Sequence, residues 1–288
     1  MATPNHIRNP FEMAVQQLNF AFLDASHKVA EQARHHAEPG TLAVRRIGAH
    51  DLWDALKAGA RDLGAVREDV LFIAIIYPLA GLLLTGLALN RDLVPLIFPL
   101  ASGFALIGPA AAVGLYEISW RREQGKPVTW ADALSVQRSP QFGSILVLGL
   151  VLVAVFLLWL AAAWTIYELT VRPLEPATNG AFLRDVFTTG QGWTMIIVGC
   201  GVGFLFALAA FSISVVSFPL LLEHDVGFGR AIMTSVRAVR ANPGPMALWG
   251  LIVAGALAVG SAPALFGLIF VMPILGHATW HLYRKVVA

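Results

Sequence analysis

Charge is what this sequence has least of. Asp, Glu, Lys and Arg make up 13% of its 288 residues, against 57% that are hydrophobic. Soluble domains carry about 25% charged residues, so the deficit points to lipid as the solvent for much of the chain. A net charge of +2 is too small to argue for a nucleic-acid partner. Cysteine is scarcer still: Cys200 stands alone inside an apolar run, which excludes an internal disulfide and any multi-cysteine metal site. The opening MATPNHIRNPFEMAVQQ lacks the charged-then-apolar pattern of a cleaved signal, so the first membrane helix is expected to act as the insertion signal.

Asp, Glu, Lys and Arg are also missing from the middle of every long apolar run. Six such runs stand at about 70–89, 93–116, 143–169, 194–222, 246–260 and 263–283, each measured against the roughly 20 residues that span hydrocarbon. Glu117 and Glu168 sit at run ends. Ion-coupled transporters usually need such groups at depth. Pro78, Pro95, Pro99, Pro109, Pro219 and Pro273 read as kinks that shape packing. No nucleophile elbow stands out, and no enzymatic activity is expected.

What is present is a recurring joint. In residues 212–250 an apolar run ends at Pro219 and Glu223-His224-Asp225, a short basic helix follows, and Asn242-Pro243-Gly244-Pro245 opens the next run. Ile232, Val236 and Val239 share one face of that basic helix, which suits the inner leaflet. An earlier helix at 51–63 places Leu52, Leu56, Ala60 and Leu63 on one face, with Trp53 at its edge, and likewise suits the membrane surface.

Lys57, Arg61 and Arg67, then Arg121, Arg122, Lys126 and Arg138, then Arg230, Arg237 and Arg240, and finally Arg284 and Lys285 fall on one side of the runs. Only Arg91, Arg172 and Arg184 fall on the other. The asymmetry predicts a membrane protein with both termini cytoplasmic. Trp120, Trp130 and Trp280 would then lie near the inner interface, Trp164 and Trp193 near the outer one.

Trp53-Asp54-Ala55-Leu56, Trp130-Ala131-Asp132-Ala133-Leu134 and Phe228-Gly229-Arg230-Ala231-Ile232 each open a surface helix before a pair of runs. The second run of each pair carries Pro109, Pro219 or Pro273. This pattern predicts a threefold repeat at about 48–118, 126–224 and 226–285. The expected fold is all-α: a membrane domain over 46–288 with six spans as three hairpins, each preceded by a cytoplasmic amphipathic helix.

Residues 1–45 form a separate polar segment with one helical pattern. Phe11, Val15, Leu18, Phe22, Ala25 and Val29 make a narrow seam that docks on the protein's own cytoplasmic side, on headgroups, or on a partner.

Four stretches carry a family resemblance: LAVRRIGAHDLWDALKAGARDL, GPAAAVGLYEISWRREQG, ISVVSFPLLLEHDVGFGRAIMTSVRAVRANP and MPILGHATWHLYRKVV. Over about residues 42–287 the chain resembles the bacterial integral membrane family known only as domain of unknown function 2189. The resemblance implies a multi-span inner-membrane protein with no established activity, and brings no catalytic residues.

His277 and His281, spaced i, i+4, share a helix face as metal ligands would, with Glu117, Glu223 and His224 as possible supplements. HATWH lacks the glutamate of a metalloprotease motif, and the pair reads as interfacial polar groups bonding helix ends and headgroups. No cofactor is expected. Gly199 and Gly203 form a small-xxx-small pair suited to close helix packing. The expected function is a non-enzymatic component that binds, organises or helps assemble membrane proteins, with the bilayer and a membrane-protein partner or second copy as its contacts. The alternatives are a permease or lipid-handling protein, and a metal- or haem-binding one.

Overall fold

The computed structural model describes residues 42–65 and 93–287 except Ala177 and Ala264, together with Ile75, Pro78, Leu79, Gly81, Leu82, Leu83 and Gly86. The seam at 11–29 lies outside the described residues, as does most of the first apolar run. Helices α1 (Ala49–Ala65), α2 (Ile97–Ala111) and α3 (Val113–Glu123) are followed by a 3-10 helix, Trp130–Arg138. Then come α4 (Phe142–Thr170), α5 (Asn179–Thr188), α6 (Gly190–Ser214), α7 (Ser217–Glu223), α8 (Phe228–Ala241), α9 (Pro243–Ser261) and α10 (Leu268–Val286). No strand occurs among the described residues; the one extended contact is an antiparallel bridge between Val44 and Val287.

Among the described residues, four stretches are long and apolar enough to cross a membrane: Val94–Glu123, Phe142–Leu174, Gly190–Glu223 and Pro243–Ser261. They contain the second to fifth runs of the sequence. Their outer faces stay apolar and exposed, with Leu150, Leu157 and Leu158 on α4, Ile197, Phe204 and Leu205 on α6, and Leu251 and Val259 on α9. Water would penalise such faces; lipid does not. Helix α10, which holds the sixth run, is not among the four. Its second half carries His277, His281, Arg284 and Lys285 and is largely buried by other parts of the protein.

Proline sets one of the breaks. The ring of Pro219 conflicts with the carbonyl four residues back, at Val215, and α6 gives way to α7 across Val215 and Val216. The backbone N–H of Val216 then donates to Ser235 Oγ on α8 at 3.2 Å. The break in one element thus becomes an anchor for the next.

Three short helices close the polar end of the bundle. Helix α1 packs on α10, the 3-10 helix on α3, and α8 on α6 and α7. Each carries the alanine of the repeated sequence pattern to a buried position: Ala55, Ala133 and Ala231. Close approach is allowed by glycine. A Cβ on Gly59 would lie 2.6 Å from Ala278 N and 2.7 Å from Ile274 O, and one on Gly114 would lie 3.0 Å from Ala133 Cβ.

These contacts correct two expectations. Helices α1 and α8 turn their packed faces to protein, not to the bilayer surface. The packed stripe of α1 is Leu52, Ala55, Gly59 and Asp62, rotated from the expected one because Gly59 centres the approach to α10; Ala60 is exposed. On α8 the buried face is Ala231, Thr234, Ser235 and Ala238, leaving Ile232, Val236 and Val239 half-buried beside it. Trp280, expected at an interface, is wholly buried and stacks at a tilt against Tyr283.

The chain leading into α1 is pinned at the same end. Arg45 N–H donates to Val286 O at 2.8 Å, and buried Asn242 accepts from Ile47 N–H at 2.8 Å while donating to Arg45 O at 3.0 Å. The asparagine of the Asn242-Pro243 break is therefore a clamp on a segment almost two hundred residues away.

Replacing Gly59 with valine must push α1 off the α10 backbone. We expect a loss of about 2 kcal/mol or more, read as a lower melting temperature in detergent. Gly64→Ala, where a Cβ meets nothing within 4 Å, should leave the melting temperature within about a degree of the parent or raise it, because alanine favours the helix.

Candidate functional site

The residues richest in chemistry converge where α1, α3 and α10 meet. Helical spacing delivers them: His277, His281 and Arg284 fall at i, i+4 and i+7 on α10, and Ser119, Arg122 and Glu123 at i, i+3 and i+4 on α3. Asp62, the last position of the buried stripe on α1, enters between them.

Asp62 is bonded on every side. Its Oδ2 accepts from Ser119 Oγ at 2.7 Å and lies 2.9 Å from His281 Nε2. Its Oδ1 faces Arg122 Nη1 at 3.0 Å, and the same nitrogen donates to the Asp62 carbonyl at 2.9 Å. Burial alone would push the Asp62 carboxyl up; hydrogen bonds from His281 and Ser119, with the His281 charge, hold it below the usual carboxylate range.

The network continues in two directions. The proton of Ser119 goes to Asp62, so its oxygen accepts from His277 Nδ1–H at 2.8 Å. That tautomer leaves His277 Nε2 as a buried acceptor with no hydrogen-bond partner among the described residues. On the other side, His281 Nδ1 lies 3.4 Å from Glu123 Oε1, and Arg284 bridges Glu123 at 3.3 Å to Glu223 at 2.6 Å. Tyr283 donates to Glu223 at 2.6 Å, bringing α7 into the junction.

The order of groups matters chemically. A nucleophilic serine donates to a histidine that a carboxylate orients. Here the serine donates to the carboxylate and accepts from the histidine, and His277 is fully buried. The arrangement orients helices and does not activate Ser119.

The histidine pair of the sequence is thus brought into one network, yet through Asp62 and Ser119. The expected bonding of His277 to headgroups is overturned, because the ring is enclosed by α3 and α10. Of the proposed supplements, Glu223 is engaged by Tyr283 and Arg284, and His224 Nε2 lies 3.6 Å from its carboxylate. Glu117 faces elsewhere, accepting from Arg121 Nε at 2.6 Å in a group that ties Asp132 and Ser135 of the 3-10 helix to α3. Among the described residues no three of His, Cys, Asp and Glu converge as around a metal ion. Sequence reasoning missed Asp62, Ser119, Arg122 and Glu123. The legible signal was the small-residue spacing of Ala55, Gly59 and Asp62, which marks the face of α1 that approaches another backbone.

Gly203 and Gly199 part company. A Cβ on Gly203 would lie 2.9 Å from the Trp159 ring, whose Nε1–H donates to Pro99 O at 3.0 Å. A Cβ on Gly199 would meet nothing within 4 Å; this glycine borders a groove of about 220 Å³ beside Trp159. The pair makes room for an indole, with one member left open. The interaction residues Phe11, Val15, Leu18 and Phe22 lie outside the described residues.

Several long apolar helices capped by a polar junction define a helical integral membrane protein. Residues 97–223 match the family model described as "Predicted integral membrane protein (DUF2189)". The match is narrower than the resemblance drawn from the sequence, leaving the stretches at 42–63 and 272–287 outside it, together with residues 224–243 of the third. No curated protein and no solved structure matches the chain.

The ionised Asp62 carboxylate should carry much of the junction's strength. Asp62→Asn is expected to cost about 2–3 kcal/mol near neutral pH, because Arg122 and His281 lose their charged partner. A carboxyl held below its ordinary value adds stability above about pH 4, and that stability is lost as pH falls through the folded value. The gap between parent and variant in detergent unfolding should therefore narrow at pH 3. An equal gap at pH 7 and pH 3 would assign the effect to shape and not to charge.

Proposed function

We propose that the protein is a non-enzymatic component of the bacterial inner membrane that holds or assembles other membrane proteins. One observation carries this reading: Asp62 of α1, Arg122 and Glu123 of α3, Glu223 of α7, and His281 and Arg284 of α10 are committed to one another, cross-linking the polar end into a fixed cap, while the long helices beneath expose apolar faces. A fixed cap over apolar faces suits holding a neighbour in register. The reading includes both termini on the cytoplasmic side, following the Lys/Arg asymmetry, and six spans in three hairpins.

The contacts of the short helices support the threefold repeat. The helix opening each proposed unit packs on the second long helix of another: α1 of the first on α10 of the third, the 3-10 helix of the second on α3 of the first, and α8 of the third on α6 and α7 of the second. Such a cycle closes after three steps. A second reading, a lipid-handling protein, draws on the apolar groove beside Trp159 and Gly199.

The test is affinity purification of the full chain from its native membrane in mild detergent. We expect one integral membrane protein, or a second copy of this chain, in near-stoichiometric yield. Deleting residues 1–38 should reduce that yield while leaving the remainder folded. Recovery of a monomer alone, with lipid or solute flux in liposomes that the parent shows and the empty vesicle lacks, would replace this reading with the second. Reporter fusions after Arg138 and Arg240 should mark the cytoplasm and one near Asn179 the periplasm; the opposite pattern would overturn the orientation.

A further inference from the structure

Helices α1 and α10 leave a cleft of about 720 Å³ between their exposed sides. Its walls carry Lys57, Arg61, Arg284 and Lys285, with Asp54 the one carboxylate facing them. Two alanines of α1 supply the rest of that wall, so the space is not filled by side chains.

The negative charge nearby is already in use. Asp54 lies 3.1 Å from His50 Nδ1 and 3.4 Å from Lys285 Nζ. Lys285 is also held by Asp51 at 3.0 Å, and Arg284 by Glu123 and Glu223. These two cations are therefore fixed in position, Arg284 from outside the cleft and Lys285 by Asp51 together with Asp54 of the cleft wall. His281, at its edge, presents both ring nitrogens to carboxylates, which suits the doubly protonated, positive ring. Lys57 rests its ammonium 5.4 Å from the centre of the Trp53 ring. Arg61 has no ion pair or hydrogen bond among the described residues. Two cations are thus placed and two are free to close on a guest.

We infer that this cleft binds a phosphate-bearing anion, with Lys57 and Arg61 as its principal contacts. Guanidinium and ammonium groups donate to phosphate oxygens in charge-assisted hydrogen bonds. The volume exceeds that of inorganic phosphate and accommodates a phosphoglycerol group with its ester neighbours. Such chemistry has two sources next to a membrane: the headgroup of an anionic lipid, and a soluble phosphate ester. Basic clefts between the ends of membrane helices favour the first. The inference does not rest on the partner-holding reading.

The experiment uses the delipidated full chain in detergent. Binding of phosphatidylglycerol, phosphatidylcholine and soluble glycerol 1-phosphate is measured by titration in native mass spectrometry. We expect the phosphate anion to bind more tightly than the zwitterionic lipid, and less tightly as salt rises. The double variant Lys57→Ala, Arg61→Ala should lose about fivefold per cation, on the order of twenty-fivefold in all. The charge-keeping double variant Lys57→Arg, Arg61→Lys should retain binding, which separates lost contact from lost folding. Tight binding of phosphatidylglycerol alone assigns the site to lipid headgroups; competition by glycerol 1-phosphate assigns it to the phosphate ester itself. Anion binding no tighter than that of phosphatidylcholine, or undiminished in the alanine variant, overturns the inference.

Discussion

A single buried carboxylate governs how the polar end is built. Removing an ion such as that of Asp62 from water costs several kcal/mol, and the cost is recovered only when its lone pairs are met with good geometry. Ser119, Arg122 and His281 meet them from two different helices while Asp62 comes from a third. None of the three helices can leave without stranding a charge. Through Arg284 and Tyr283 the same condition reaches Glu223 and hence α7. Hydrogen bonding thus supplies register to helices whose apolar lengths alone would let them slide.

How much of this was legible varies with the physics behind each feature. Runs of apolar residues announce lipid-facing helices directly, and four of the six expected runs coincide with stretches able to cross a membrane. The i, i+4 spacing of His277 and His281 correctly placed both on one face. What those rings bond to was not legible, because Asp62 and Ser119 lie far off in sequence and no periodicity connects them. The orientation of α1 misled for a related reason. Counting apolar residues favours the stripe with the bulkiest side chains, Leu52, Leu56 and Leu63. In a contact set by backbone approach, the smallest residues mark the face instead, and Gly59 against Ala278 decides it.

The family segment, residues 97–223, covers α2 to α7 and therefore contains only the α3 and α7 contributions to the junction. Asp62, His277 and His281 stand outside it. The residues that complete the polar network are thus supplied by the parts of the chain that the family model does not reach.

Lipid explains why the polar end is so heavily bonded. Between helices in hydrocarbon there is no hydrophobic drive to associate, since lipid tails solvate leucine as well as leucine does. Specific packing must come from close backbone contact or from polar bonds. Along the spans this chain uses the first, with Trp159 seated on Gly203. It places ionisable groups mainly at the ends of the helices, where water lowers the cost of any group that loses its partner. The Pro219 break belongs to the same economy of donors: the N–H released at Val216 is taken up by Ser235, so even an interruption of the helix adds a bond between elements.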